Sequence, residues 1–118
     1  MEASAHLDDA MRQCTANCSD CHDICLETAV YAVRGAMDPA HVTLLLDCAE
    51  ICDVSRDFML SESRFHTRTC GVCGEVCEAC AAACKELDDP LLQRCAVQCG
   101  ICARSCREMA GLDDESVL

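Results

Sequence analysis

The chain has 118 residues and a mass of 12.8 kDa, room for one domain and little else. Its 9 basic and 21 acidic residues give a formal net charge of −12, which makes nucleic acid and anionic lipid poor partners. Hydrophobic residues reach 52%, yet fifteen of them are cysteine, tryptophan is absent, and the aromatics are one Tyr and two Phe.

With so few large side chains, sulfur must fill much of the interior. No run of 18 apolar residues is present, which excludes a membrane-spanning helix. Met1–Met11 is acidic and has no basic region followed by an apolar stretch, so it does not read as a signal peptide. The expected location is therefore cytoplasmic and reducing. There, a high density of cysteine in odd number points to metal binding rather than to a disulfide scaffold.

Two Asp-Pro steps, Asp38-Pro39 and Asp89-Pro90, read as N-caps followed by proline at the first helical position. Gly35 and Gly111 suit helix C-termini, and Ser61-Glu62-Ser63 makes a softer break after which Ser63 caps the next segment. These marks divide a single domain, 1–118, into four helices over about 5–34, 39–61, 64–87 and 90–110. The tail Leu112–Leu118 is acidic and reads as frayed. No period-two run suggests a strand.

Each segment carries a stripe that steps by four, then three. The first helix has Leu7, Met11, Cys14, Cys18, Cys21 and Cys25. The second has His41, Leu45, Cys48, Cys52, Ser55 and Met59. The third has His66, Cys70, Cys73, Cys77, Cys80 and Cys84, and the fourth Leu91, Cys95, Cys99, Cys102, Cys106 and Met109. That spacing marks the inward positions of helices in a bundle. The expected fold is an all-α, antiparallel four-helix bundle with a cysteine-lined core.

The unit Cys-x3-Cys-x2-Cys-x3-Cys occurs three times, at 14 to 25, 73 to 84 and 95 to 106. Inward cysteine alone could be small core filler, but alanine, valine or leucine would pack better than so many thiols. Residues four apart on a helix hold their β-carbons about 5–6 Å apart, too far for the 3.5–4.5 Å (roughly) of a disulfide. Zinc sites and iron–sulfur clusters favour compact Cys-x2-Cys knuckles and loops, whereas these pairs lie in straight helix. Cu(I) is soft and thiophilic, and two or three sulfurs satisfy it. If each ion takes two thiolates and each thiolate bridges two ions, roughly fifteen or more Cu(I) fit per chain. An iron–sulfur electron-transfer protein and a zinc- or thiol-buffering, metallothionein-like protein are the alternatives. Repeated rather than singular cysteines argue against an enzyme.

The antiparallel arrangement gives the bundle two different ends. Leu44, Leu45, Leu87, Leu91 and Leu92 plug one. At the other lie Met11, Met59, Met109 and His66, with His6 nearby, whose thioethers and imidazole suit an entrance for ions. His22 and His41 read as solvent-facing. In the repeated Cys-x3-Cys pairs and this Met/His mouth, residues 5 to 110 resemble the copper storage proteins. The resemblance implies a cysteine-lined four-helix bundle, a homotetramer in the cytosol, and many Cu(I) ions per bundle that a copper chaperone could deliver. The second helix departs from the pattern, because it offers only Cys48 and Cys52 and has Ser55 where another thiol could stand.

Overall fold

The computed structural model describes residues 7–111. His6 and the tail Leu112–Leu118 lie outside the described residues. Four helices follow one another: α1 (Asp9–Arg34), α2 (Pro39–Leu60), α3 (His66–Lys85) and α4 (Pro90–Ala110). Around the bundle α1 touches α2 and α4, and α3 touches α2 and α4. The backbones of the diagonal pairs stay apart, and only core sulfurs meet across the diagonals, as Cys21 does with Cys77 and Cys52 with Cys102. This is the square of an antiparallel four-helix bundle, and no strand occurs among the described residues.

The caps explain where the helices begin. Asp8 accepts a hydrogen bond from the Met11 N–H at 2.8 Å, so α1 starts at Asp9 rather than near residue 5. Asp38 accepts from the Ala40 N–H at 3.0 Å, and Asp89 accepts from Leu91 and Leu92. Proline follows each of these two caps, where its missing N–H has no partner to lose. Ser63 behaves differently from the expectation. Its hydroxyl accepts from the Phe65 N–H at 3.1 Å and holds a turn over 63–65. Helix α3 therefore begins at His66, with no side-chain cap.

The C-termini also depart in one respect. Gly111 takes the left-handed conformation, with φ of 78°, as a glycine after a helix should. Gly35 does not. The left-handed residue after α1 is Ala36 (φ 55°), and after α2 it is Glu62 (φ 57°). In both turns the following N–H closes a six-residue ring, Met37 to Ala32 at 3.0 Å and Ser63 to Phe58 at 2.9 Å.

Small residues bring the helices together. Gly74 is buried where α3 meets α4, and a β-carbon there would lie 3.0 Å from the Arg107 Cγ. Between α1 and α4, the Asn17 amide donates to the Ser105 hydroxyl at 3.1 Å, and the Gln98 amide donates to the Asn17 carbonyl. At the end where α1 and α3 finish, the Tyr31 hydroxyl donates to Asp89. Of the expected plug, Leu45 and Leu92 are fully buried there beside Thr28, while Leu44, Leu87 and Leu91 are half-buried.

Candidate metal centre

All fifteen cysteines are buried and free, and each has 0% exposure. The four-then-three spacing turns every one toward the axis. Sulfurs then meet across helices. Cys14 lies 3.6 Å from Cys106, Cys18 3.7 Å from Cys102, Cys52 3.6 Å from Cys77 and Cys25 3.6 Å from Cys99. Pairs four apart on one helix are close too, with Cys21 and Cys25 at 4.0 Å and Cys95 and Cys99 at 3.9 Å.

Four groups of four sulfurs, each mutually within 4.8 Å, stack along the axis. From the mouth inward they are Cys18–Cys73–Cys102–Cys106, Cys21–Cys52–Cys77–Cys102, Cys21–Cys25–Cys48–Cys99 and Cys25–Cys80–Cys95–Cys99. Neighbouring groups share members: Cys102, then Cys21, then Cys25 and Cys99. The result is one continuous column rather than separate pockets. Along α3 the shared groups run from Cys73 to Cys80, about 10 Å at 1.5 Å per residue, and the inward thiols continue to Cys70 on one side and Cys84 on the other.

A metal–sulfur bond is about 2.3 Å, so two sulfurs on one ion lie no more than about 4.6 Å apart. The thiol contacts already fall in that range, and an ion needs only small side-chain rotations to enter between them. Zinc closes a tetrahedron of four ligands, whereas Cu(I) is satisfied by two or three sulfurs. Soft, bridging coordination matches the column.

Without metal the thiols constrain one another electrically. Cys25, Cys52, Cys77, Cys84, Cys99 and Cys106 are pushed well above the ordinary thiol range, first by hydrogen bonds to neighbouring sulfurs and further by burial. Cys48, Cys95 and Cys102 are held below it by hydrogen bonds from the same neighbours. One thiolate suppresses ionisation of the thiols around it, because like charges in a dry core repel. A cation on each sulfur removes that conflict.

Three cysteines lie outside the four groups, and each has its own partner. Cys14 contacts Cys106. Cys70 lies 3.2 Å from the hydroxyl of Ser55, which is itself fully buried. Cys84 lies 3.3 Å from the Nε2 of His41. That last contact corrects the sequence reading, since His41 is half-buried and turned toward the core. His22 is also half-buried rather than solvent-facing. Its Nδ1–H donates to the Ala49 carbonyl at 2.7 Å, which ties α1 to α2. The signal for His41 was present in the sequence, because it heads the inward stripe of α2.

Met59 is fully buried, and Met11 and Met109 pack against the core at the mouth end. Leu7 is buried at the start of α1 as well. His66 is half-buried, and its Nδ1–H donates to the Ser63 carbonyl at 3.0 Å. This bond fixes the tautomer and leaves the Nε2 lone pair free for an ion.

Comparison with known proteins agrees with this geometry. The sequence profile described as "Csp: Copper storage protein" matches residues 1–111. The chain belongs to the copper storage protein family. The cysteine-rich protein YhjQ of Bacillus subtilis (strain 168) is 34% identical over 103 residues, which cover 86% of this chain and 91% of that protein. Among solved structures, the Nmul_A1745 protein of Nitrosospira multiformis superposes with a TM-score of 0.83 at 40% identity, covering 91% of this chain and 100% of that one. The Cu(I)-bound copper storage protein BsCsp3 superposes with a TM-score of 0.82 at 30% identity, covering 86% of this chain and 99% of that one. A copper storage family member is thus known with Cu(I) bound in the same bundle fold, and no described helix of this chain is long and apolar enough to cross a membrane.

Proposed function

We propose that this chain stores Cu(I) along its axis and so buffers the ion and limits its toxicity. The observation that carries this reading is the continuous column of shared four-sulfur groups. Each Cu(I) that binds displaces a thiol proton to solvent and forms a neutral copper–thiolate unit. Bridging thiolates put the capacity at roughly fifteen or more ions per chain. The ligands in this reading are the fifteen cysteines from Cys14 to Cys106. His66, Met11, Met59 and Met109 act as weaker, exchangeable donors at the mouth.

So many free thiols require a reducing compartment, which favours the cytoplasm. A copper chaperone would deliver the ion by ligand exchange. The exposed apolar side chains Val30, Val33 and Leu46 on one side, and Val97 on α4, suit the homotetramer that the family resemblance implies. Repeated rather than singular cysteines favour storage over catalysis.

The metal is tested by growing producing cells with copper, iron and zinc together and isolating the protein without oxygen. Copper should dominate, and the product should be colourless, as Cu(I) thiolates are. A brown, iron-containing product would overturn the reading in favour of an electron-transfer protein.

A further inference from the structure

The column does not stop at its last four-sulfur group. One turn beyond Cys80 on α3, Cys84 faces α2, and the His41 Nε2 lies 3.3 Å from its sulfur. Both groups sit at the leucine-plugged end, remote from His66. His41 also lines an open surface groove of about 470 Å³, together with Met37, Leu44, Ala83, Glu86 and Leu87. The plug is therefore incomplete on the α2–α3 side. The half-buried imidazole of His41 stands between the groove and the fully buried sulfur of Cys84.

We propose that His41 and Cys84 hold one additional Cu(I) at this end, reached through the groove; the proposal rests on the Cu(I) storage reading. A thiolate and a neutral imidazole satisfy Cu(I) in a two-coordinate arrangement. With bonds of about 2.0 Å to nitrogen and 2.3 Å to sulfur, the two donors would stand up to about 4.3 Å apart around the ion. Rotating the two side chains opens the present contact that far. The bond between Nε2 and the thiol proton is replaced by two metal bonds, and the proton leaves to solvent.

The ion would sit beside the Cys25–Cys80–Cys95–Cys99 group and bridge to it through Cys84. The column then has an imidazole at each end, His66 at the mouth and His41 opposite. Copper could exchange at both.

The test follows the histidine ring nitrogens of the full-length chain by ¹⁵N NMR during anaerobic Cu(I) loading, with His41→Leu and His41→Cys titrated in parallel. The expected result is that the His41 Nε2 resonance moves to the metal-bound range. His41→Leu should lose one Cu(I) per chain, and His41→Cys should regain it. A wild-type chain that loads its full thiol complement while the His41 nitrogens stay put would overturn the site and leave storage intact. Wild-type saturation at four ions or fewer would overturn the storage reading itself. The NMR arm uses the wild type, so it holds even if a variant fails to fold.

Discussion

At the scale of single residues, the inward position of every cysteine was legible, because a four-then-three step admits one helical face. Ser55 was legible as a gap in the same stripe. The structure adds that its hydroxyl touches Cys70 at 3.2 Å in a fully buried site. Serine and cysteine differ by one atom, so Ser55→Cys should fit the core. It should raise Cu(I) capacity by about one ion per chain, since bridged two-coordinate ions equal thiolates in number. An unchanged end point would mean that this level of the bundle does not take metal. His41 was misread for a physical reason. A histidine on the first turn of a helix is usually hydrated, and only the packing of α2 on α3 brings Cys84 against it.

At the scale of elements, the Asp-Pro caps and Gly111 were readable because each residue type has one strong local preference. The turns after α1 and α2 were not. Their left-handed positions fall on Ala36 and Glu62, which carry no sequence signal for that conformation, and Gly35 beside Ala36 misleads. A left-handed alanine is disfavoured by roughly 1–2 kcal/mol relative to its right-handed conformers, while glycine adopts the region freely at some entropic cost. Ala36→Gly should therefore stabilise the metal-free protein by about 0.5–1 kcal/mol. Urea denaturation with an unchanged slope checks this. A loss of stability would show that the turn has relaxed elsewhere. The start of α3 was also misplaced, because Ser63 spends its hydroxyl on the 63–65 turn instead of on a helix cap.

At the scale of the whole molecule, a core of thiols makes the metal-free fold sensitive to alkali. The unfolded chain ionises its cysteines near pH 8.5. In the folded state hydrogen bonds with neighbouring sulfurs, and burial after them, keep Cys52, Cys77, Cys99 and Cys106 protonated far above that. A raised folded-state pKa contributes stability that is complete below the unfolded value and is lost as pH climbs past it. Cys18, Cys21, Cys48, Cys70, Cys95 and Cys102, held low, work in the opposite sense, but desolvation opposes ionisation at every buried sulfur. The melting temperature of the reduced, metal-free protein should fall between pH 8 and 10. That of the copper-loaded protein should hold, because its sulfurs carry metal instead of protons. Calorimetry on both forms reads this directly, and a flat metal-free profile would contradict it.

The four-sulfur groups share members along the middle of the bundle, with Cys14, Cys70 and Cys84 extending the thiols at either end, and from this comes the central claim that one chain takes up many Cu(I) ions in a single connected store. Anaerobic titration of the fully reduced protein with Cu(I), against a chelator that competes for the free ion, measures it most directly. The account predicts that the chelator stays empty until on the order of fifteen ions per chain are bound. Chelator filling from four ions or fewer would contradict it and reduce the column to a discrete site.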